Sequence, residues 1–327
     1  MVGVVILNYR TPLKSIECAK SIIEHTRSDF HIYVVDNNSQ DYSYEIMKKE
    51  FIDTNNVTVL LAEKNGGYSF GNNLGAKVAI NDKCSYVFIV NSDIKFENNA
   101  LDIMLSSLLN NPGVSVVGPS ILSSNRLETQ KFIKGLTFKR YMLNKLPLSL
   151  VPMLKDKSDR FIQMSDLKDQ AKVDGMPYGC CFLIDAQIFE CMHGFDEKLF
   201  LYHEEDVLAY KLNKIGAKAI FESKAKVVHN HSYSISKEGR AFERFYRYTS
   251  ALYVLRGYGG LHGLKLLIPI FINVLPYTVK SLSDNSYRKR LIEFYRTIFE
   301  IIKIEPYEKL DKFIYEASQQ SEQLDKY

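Results

Sequence analysis

The sequence contains few cysteines and no cysteine pair of the C-x-x-C type. Its five cysteines are odd in number and scattered along the chain: Cys18, Cys84, Cys180, Cys181 and Cys191. A disulfide framework and a structural zinc site both need cysteines that come in pairs. The sequence therefore predicts neither of them, and it favours a reducing, cytoplasmic compartment.

Long hydrophobic runs are missing as well. No apolar run reaches the roughly 18 to 20 residues that a membrane-spanning helix needs. The apolar stretch 266–279 is interrupted by Pro269 and Pro276, so we expect it to be too short to span. Residues 1–6 lack a basic stretch and a small-residue cleavage site, and they predict a first strand rather than a signal peptide.

Most of the chain has no excess of either charge, and an excess of basic residues occurs only near its C-terminal end. Hydrophobic residues make up 46% and charged residues 24% of the sequence, and the formal net charge is +4. Residues 1–239 have 28 basic and 28 acidic residues, whereas residues 240–296 have 10 basic and 3 acidic ones. The C-terminal excess suggests an anionic partner surface, with a solvated helix face as the alternative. Nucleic-acid binding is not expected, because the basic residues form no recognised module.

The first 120 residues alternate between strand and helix patterns. Short, β-branched apolar runs are typical of buried parallel strands, and Thr11-Pro12 is a typical helix start. This alternation predicts a doubly wound α/β sheet with its ligands at the carboxyl ends of the strands. We predict a catalytic domain over residues 1–238 and a helical region over 239–327. The predicted strands cover residues 2–7, 32–35, 57–61, 86–90 and 114–117.

Polar residues follow three of these strands where each strand ends. They are Leu7-Asn8-Tyr9-Arg10, Asp36-Asn37-Asn38-Ser39 and Asn91-Ser92-Asp93. Each acid could simply cap the helix that follows, but capping does not require all three clusters at one edge of the sheet. Together they predict a shared crevice that binds a polar ligand.

A glycine-rich segment, Asn65-Gly66-Gly67 with Gly71-Asn72-Asn73, could bring backbone close to a phosphate. Its spacing matches neither G-x-G-x-x-G nor a P-loop, so a simple turn is the alternative. Residues 121–170 are irregular and polar, and we expect loops and short helices there, with a lid as one possibility.

Two later segments carry groups that could do chemistry. Glu204-Glu205-Asp206 places three acids together, which suits either a helix N-terminus or a general base. His229 follows a strand and could share a divalent cation with Asp93; a purely structural histidine is the alternative.

In this order and approximate spacing, the motifs resemble the family 2 inverting glycosyltransferases of GT-A fold. The likeness covers roughly residues 1–235 and is greatest to the branch that includes rhamnosyltransferases and other polysaccharide-assembly enzymes. The quoted segments that carry it are 4–9, 34–39, 65–67 with 71–73, 91–93, 179–184, 194–197 and 205–207. The resemblance implies a GT-A-type mixed sheet followed by the helical region.

The resemblance also implies roles for individual residues. Tyr9 and Asp36 would hold the nucleoside of the donor, and Asp93 would bind Mg²⁺ or Mn²⁺, with His229 completing the metal site. Asp206 would be the catalytic base, with Glu205 as the alternative if the motif is shifted by one residue. The remaining donor-binding positions would be Leu7, Asn65, Gly66, Asn72 and Ser92.

Three departures from the family pattern bear on the interpretation. Arg10 stands where Asn is common and could face diphosphate or solvent. Asn91 replaces the first acid of the D-x-D motif, which leaves Asp93 as the main carboxylate on the metal. The Q-x-x-R-W motif of processive synthases is missing, which favours addition of one or a few sugars.

The implied reaction moves a sugar, with inversion, from a UDP-, dTDP- or GDP-linked donor to a hydroxyl of a glycan or polyisoprenyl-diphosphate-linked acceptor. The alternatives are a nucleotidyltransferase and a non-catalytic membrane-associated scaffold. The helix pattern 240–256 places Arg240, Arg244 and Arg247 on one face. With the stretch 266–279 it predicts a helix pair lying on an anionic membrane at the cytoplasmic face; packing on the catalytic domain or a homodimer contact is the alternative.

Overall fold

The computed structural model describes residues 1–145, 161–163, 170, 172–230 and 237–307. The strands are β1 Val2–Asn8, β2 Phe30–Asp36, β3 Val57–Leu61, β4 Tyr86–Asn91, β5 Ile94–Phe96, β6 Val114–Ser123, β7 Lys131–Ile133, β8 Phe161–Gln163, β9 Lys172–Val173, β10 Met176–Pro177, β11 Cys181–Asp185 and β12 Lys218–His229. Nine of these strands form a mixed sheet with the order β3-β2-β1-β4-β11-β6-β12-β5, in which β9 also pairs with β12. The other three form a small antiparallel sheet with the order β10-β7-β8. The α/β prediction is therefore confirmed.

Helices cover both faces of the main sheet. One apolar layer contains Ile6 and Phe88, and the other contains Val5 and Phe182, as expected where successive side chains of buried strands point to opposite faces. The helices are α1 Pro12–His25, α2 Ser43–Glu50, α3 Gly67–Asn81, α4 Ala100–Leu109, α5 Phe138–Lys145, α6 Ala186–Cys191, α7 Glu204–Lys214, α8 Lys237–Gly257, α9 Gly263–Ser283, α10 Asn285–Lys289 and α11 Leu291–Lys303.

The register of the parallel strands brings the predicted polar strand ends together. Strand β1 pairs in parallel with both β2 and β4, so that Asn8 lies opposite Asp36 and Leu7 lies opposite Asn91. Strand β11 then runs antiparallel to β4, with Cys181 opposite Val90. The carboxyl ends of β1, β2 and β4 and the start of β11 therefore share one edge of the sheet.

Two local features lie within the predicted catalytic domain. Helix α2 begins at Ser43 rather than directly after β2, because the Ser39 side chain donates to the Asp36 carboxylate instead of capping a helix. Near the end of the predicted domain, residues 218–229 form one long strand, β12. A register shift between Glu222 and Lys226 accommodates the polar residues between its two apolar halves.

The C-terminal helices form a layer of their own. Helix α8 is its centre, with Phe245, Leu252 and Leu255 buried. Helix α9 runs without a break through Pro269 and Pro276, although each proline removes one backbone donor. Because of this continuity, α9 is long and apolar enough to cross a membrane, and it is the one such helix among the described residues. Its mean hydropathy is 1.4, and 28% of its most apolar 18 residues are buried inside the protein.

Some predictions fall partly outside the described residues. In the irregular stretch 121–170, residues 146–160 and 164–169 are not described, so a lid there stays a prediction. Residues 231–236 and 308–327 are not described either, so the helical prediction for 308–327 stays a prediction. The division into domains at residue 238 also stays a prediction.

Candidate active site

A cavity of about 390 Å³ opens at the edge where the strand ends meet. Five predicted donor-binding residues line it: Leu7, Tyr9, Asn65, Ser92 and Asp93. The other predicted site residues do not line the cavity; they are Asp36, Gly66, Asn72, His229 and the two candidate bases. The remaining lining residues are Thr11, Lys14, Asn37, Gly67, Tyr68, Asn91, Phe200, Leu201 and Phe242.

Asp36 supports the cavity wall from within. Its carboxylate accepts hydrogen bonds from Asn8 Nδ2 at 2.7 Å and from Ser39 Oγ at 2.5 Å, and the residue is only 2% exposed. Arg10 covers this corner, because its Nε donates to the Ser39 carbonyl and its guanidinium lies 5.2 Å from the Tyr9 ring centroid. Buried charge needs such hydrogen bonds, so Asp36 orders the loop that displays Tyr9.

Asn37, from the polar end of β2, lines the cavity although it is not among the predicted donor-binding residues. Its Nδ2 donates to Asn65 Oδ1 and to the Gly67 carbonyl, both at 3.0 Å. Its Oδ1 is buried and has no hydrogen-bond partner among the described residues. An unpaired buried acceptor costs about 1–3 kcal/mol, and such costs are typical of positions that a ligand or a water molecule completes.

The glycine segment turns into helix α3 beside the cavity. Gly67 has a φ of +84°, and a Cβ at this position would lie 2.1 Å from the Phe200 carbonyl oxygen. Only glycine fits this close approach. Gly66 and Asn72 lie behind the wall: Asn72 is buried, and its Nδ2 donates to the Tyr68 carbonyl.

Asp93 and His229 are brought together by strands β5 and β12. His229 lies opposite Ile94 in the antiparallel register, and its Nε2 is 3.1 Å from Asp93 Oδ1. The Asn230 amide also donates to the Asp93 carbonyl at 3.0 Å. A strand, rather than a helix, follows Asp93, so helix capping does not explain this acid.

Asp93 and His229 offer two protein ligands to a divalent cation. A carboxylate oxygen and an imidazole nitrogen suit a divalent metal such as Mn²⁺. Among the described residues there is no group of three or more His, Cys, Asp or Glu side chains arranged to hold a metal. The donor set therefore fits a cation that takes its remaining ligands from a bound diphosphate or from water.

Two residues in the left-handed region set the start of helix α7. Tyr202 and His203 have φ values of 70° and 71°, a conformation that is costly for residues with side chains and that clusters at functional sites. The helix then opens with Glu204, Glu205 and Asp206 in its first turn. Three acids at a helix N-terminus are favoured by the helix dipole.

Glu205 faces the cavity side of this turn. Its Oε1 accepts a 3.1 Å hydrogen bond from the Gly179 amide, and the Gly179 carbonyl accepts one of 2.6 Å from the hydroxyl of the wall residue Tyr68. The next residue, Cys180, accepts a 2.8 Å hydrogen bond at its carbonyl from the amide of the cavity residue Asn91. The segment that holds Glu205 is therefore bonded to the cavity wall.

Asp206 points elsewhere. It is fully buried, and its Oδ2 lies 2.8 Å from His203 Nδ1. A Cβ added at Gly135, shortly before helix α5, would lie 3.6 Å from the Asp206 carbonyl oxygen. Burial lowers the pKa of Arg140 in α5, and the Asp206 charge opposes that shift. Arg140 lines a different cavity, together with Lys134 and Lys172.

Glu204 is a third carboxyl group with a distinct environment. It is 4% exposed, and its Oε1 has no partner among the described residues. Burial raises its pKa well above the usual value, and the neighbouring Glu205 charge adds to this shift. Both effects favour the protonated form of Glu204 in the folded protein.

Aromatic residues close the cavity from outside the predicted motifs. Phe242 of α8 lines it together with Phe200, and the two ring centroids are 6.1 Å apart. Lys14, in the first turn of α1, brings a positive charge to the same wall. Lys14 lies four residues after Arg10, close enough to the first polar strand end for the sequence to predict that it lines the cavity. The position of Phe242 could not be predicted in this way, because it depends on long-range packing.

Comparisons with known proteins give one family model and several similar proteins. A family model described as "Glycosyl transferase family 2" matches residues 3–192. Glycosyltransferase GlyG of Streptococcus pneumoniae serotype 4 is 30% identical over 118 residues, or 36% of this chain. The low-salt glycan biosynthesis hexosyltransferase Agl10 of Haloferax volcanii is 24% identical over 216 residues, or 65% of this chain. These matches cover 38% of GlyG and 61% of Agl10, so the chain spans less than two thirds of the length of either relative.

Two solved structures share the fold. GalNAc-T7 with UDP, GalNAc and Mn²⁺ superposes with a TM-score of 0.52 at 15% identity, covering 72% of this chain and 44% of that one. S. aureus TarS 1–349 in complex with UDP superposes with a TM-score of 0.50 at 14% identity, covering 91% and 90%. At this level of identity the likeness supports the GT-A fold alone.

Proposed function

The chain belongs to glycosyl transferase family 2, and from this premise we propose that it moves a sugar from a nucleoside-diphosphate donor to a hydroxyl group of a glycan acceptor. The transfer inverts the anomeric centre by a single in-line displacement. The observation that carries the proposal is that Asp93 lines the cavity, while Glu205 is held by the Gly179 amide, next to the cavity residue Tyr68. From these positions Asp93 can serve the leaving group, and Glu205 can serve the attacking hydroxyl.

The donor in this proposal is a UDP-sugar. Both solved structures with the same fold contain UDP, and the cavity of about 390 Å³ is lined by Tyr9, Asn37 and Lys14. The exposed ring of Tyr9 can stack on a base, the unpaired Asn37 oxygen can accept a hydrogen bond, and Lys14 can approach a phosphate. The dTDP- and GDP-linked donors are the alternatives, and the donor hydrolysis assay described below includes one of each.

Asp93 and His229 would hold the divalent cation, Mg²⁺ or Mn²⁺. The structure of GalNAc-T7 contains Mn²⁺ together with UDP, and the oxygen and nitrogen donors of this pair suit the same ion. When bound, such a cation neutralises the charge that develops on a departing diphosphate. The residues of this chain supply its position, because strands β5 and β12 fix the 3.1 Å contact.

Glu205 is the general base in this proposal, ahead of Asp206. Its Oε1 is positioned by the Gly179 amide, next to the wall residue Tyr68, whereas Asp206 is buried against His203. Glu205 takes the proton of the acceptor hydroxyl as that oxygen forms the new bond to the anomeric carbon. The bond between this carbon and the donor phosphate oxygen breaks, and its electron pair leaves with the nucleoside diphosphate.

The direct test is donor hydrolysis with a panel of nucleotide sugars. UDP-glucose, UDP-galactose, UDP-N-acetylglucosamine, dTDP-rhamnose and GDP-mannose are incubated with the protein and Mn²⁺ or Mg²⁺. We expect slow release of UDP from at least one UDP-sugar, lost in EDTA and in Glu205→Gln. No release from any donor, combined with no nucleotide binding, would support the non-catalytic scaffold instead. Release of pyrophosphate from a nucleoside triphosphate would support the nucleotidyltransferase.

Some finer expectations stay predictions within this proposal. They are the rhamnosyltransferase branch, a polyisoprenyl-diphosphate-linked acceptor, a cytoplasmic location and a homodimer. Because the chain spans only part of its curated relatives, the specific sugar and acceptor are left to the donor panel and to the membrane argument below.

A further inference from the structure

Helix α9 presents a continuous apolar face to solvent. Its exposed side chains recur three or four residues apart, which places them on one side of the helix. Leu264 is 81% exposed and Leu282 is 74% exposed, so the face extends over the full length of the helix. The exposed members include Leu264, Leu267, Phe271, Leu275, Val279 and Leu282.

Helix α11 adds a second apolar face beside the first. Its exposed large side chains are Ile292, Tyr295, Phe299 and Ile302. The Tyr295 hydroxyl and Thr278 Oγ1 of α9 are hydrogen-bonded at 2.7 Å, so the two faces adjoin. On the protein side, the Tyr277 and Phe294 rings stack with centroids 4.0 Å apart. The two helices therefore form one rigid surface, named here the α9/α11 face.

Basic residues border this face. Residues 263–303 contain seven basic and three acidic residues. Lys265, Lys289 and Arg296 are exposed, and Lys303 Nζ lies 4.2 Å from the Phe299 ring centroid. Two of the three acids are paired with basic neighbours, Glu293 with Arg290 and Glu300 with Lys303. The apolar surface is thus set in a positive border.

We propose that the α9/α11 face binds the surface of an anionic lipid bilayer, with both helices parallel to the membrane plane. Apolar side chains beside Lys and Arg are the pattern of helices that lie at the lipid interface. A second copy of this chain would bring an identical positive border to the contact, which disfavours pairing through this face. The positive border is complementary to anionic headgroups.

The inner side of α9 favours lying on the membrane over crossing it. Asn273 is fully buried, and its Oδ1 accepts a 2.8 Å hydrogen bond from the Tyr141 hydroxyl. Ser281 is buried on the same side. A crossing helix would have to leave these contacts and place its polar groups in lipid.

The α9/α11 face also corrects the helix pair expected from the sequence. In α8, Ala241, Phe245 and Leu252 are buried, and within residues 239–257 the exposed side chains are Arg240, Arg244 and Arg247. The apolar side of α8 therefore packs inside the protein, where the Phe245 ring lies 5.8 Å from the Phe294 ring of α11. The stretch 266–279 lies on the membrane with α11 rather than with α8.

The face reaches the cavity, which suggests what the membrane supplies. Arg290, just before α11, places its guanidinium 5.2 Å from the ring of the cavity residue Phe242. A glycan acceptor carried on a lipid would thus meet the cavity at the membrane surface. This step rests on the proposed function, whereas membrane binding itself does not.

Vesicle flotation tests the proposal without any activity measurement. The full chain is floated with phosphatidylglycerol vesicles and with phosphatidylcholine vesicles, at low and at high salt. We expect flotation with the anionic vesicles at low salt, at least about tenfold less with the neutral ones, and weakening by salt. Protein that stays at the bottom with anionic vesicles at low salt overturns the proposal.

Matched variants locate the binding surface. Phe271→Ser combined with Leu275→Ser should weaken flotation by at least about tenfold, because both exposed side chains lose apolar area. The control pair Ile52→Ser and Leu109→Ser changes exposed apolar residues elsewhere and should float like the parent. Equal flotation of the two double variants overturns the assignment to this face.

The competing occupants give distinct results. A dimer in sedimentation velocity without lipid that the Phe271→Ser/Leu275→Ser variant abolishes would show a contact between copies and overturn the proposal. Protein that stays with vesicles after alkaline carbonate extraction would show a spanning helix and overturn the surface orientation. Donor hydrolysis measured without vesicles should be unchanged in the double variant, so a failed glycosyltransferase assay and a failed flotation assay remain separate outcomes.

Discussion

The Gly179 amide donates a 3.1 Å hydrogen bond to Glu205 Oε1, and a Cβ added at Gly179 would lie 2.5 Å from the same oxygen. Any side chain at position 179 would therefore displace the Glu205 carboxylate from its observed position. The contact joins the start of strand β11 to the first turn of α7. It fixes the Glu205 carboxylate at the edge of the sheet where the strand ends meet.

The first prediction concerns Gly179→Ala. We expect at least a tenfold loss of turnover in donor hydrolysis, since an error of about 1 Å in a catalytic group can cost about a hundredfold. UDP affinity should change little, because Gly179 does not line the cavity. Turnover and isothermal titration with UDP check this pair of outcomes. Unchanged turnover with an intact thermal transition would show that the position of Glu205 is unimportant.

The second prediction concerns the cation pair. Asp93→Asn should lower UDP affinity measured with Mn²⁺ by about tenfold or more, because it removes the negative charge that attracts the ion. Without Mn²⁺ the variant and the parent should bind UDP similarly. Asp53→Asn, at an exposed acid, is the matched control. An affinity that is independent of Mn²⁺ in the parent would remove the metal from the account.

The third prediction concerns the contribution of the C-terminal helices to the cavity. Phe242→Ala should weaken donor binding by about five- to thirtyfold, since it removes a large apolar wall from the cavity. Phe299→Ala removes an exposed ring from α11 and should leave donor binding unchanged. Titration with UDP measures both. Equal affinities of the two variants would show that the cavity ends before α8.

The fourth prediction concerns pH and Glu204. Its folded pKa is raised above its unfolded value by burial and by Glu205. Between the unfolded pKa of about 4.3 and the raised folded pKa, the folded protein therefore binds up to one proton more than the unfolded chain. The stabilising contribution is full below that pH and declines as pH rises towards the folded pKa, by up to about 1.4 kcal/mol per pH unit.

Glu204→Gln removes this linkage. We expect the free energy of unfolding of the parent to fall relative to that of the variant as pH rises from 5 to 8. Urea denaturation at four pH values measures the difference and cancels groups common to both proteins. A parallel pH dependence in the two proteins would mean that Glu204 is ionised in the folded state.

Much of the sheet could be predicted from the sequence because buried parallel strands have a strong local pattern. The runs of β-branched residues in β1, β2 and β4 mark strands without any knowledge of the fold. Polar residues at their ends then predicted the crevice. The Asp93–His229 contact follows from the same logic, since both residues stand at strand ends.

The orientation of the base could not be predicted in the same way. Successive residues on a helix point about 100° apart, so Glu205 and Asp206 face different sides once the start of α7 is fixed. That start depends on the left-handed conformation of Tyr202 and His203, which no sequence pattern announces. The arrival of Phe242 in the cavity likewise depends on how α8 packs.

The central claim is that Glu205, rather than Asp206, is the general base. The most direct test compares donor hydrolysis by Glu205→Gln and by Asp206→Asn at saturating UDP-sugar and Mn²⁺. Thermal unfolding and UDP titration confirm that both variants are folded and bind donor. The account predicts a loss of about 10²- to 10⁴-fold in turnover for Glu205→Gln, the usual contribution of a general base, and less than about tenfold for Asp206→Asn. Turnover that survives in Glu205→Gln and is lost in Asp206→Asn would contradict it.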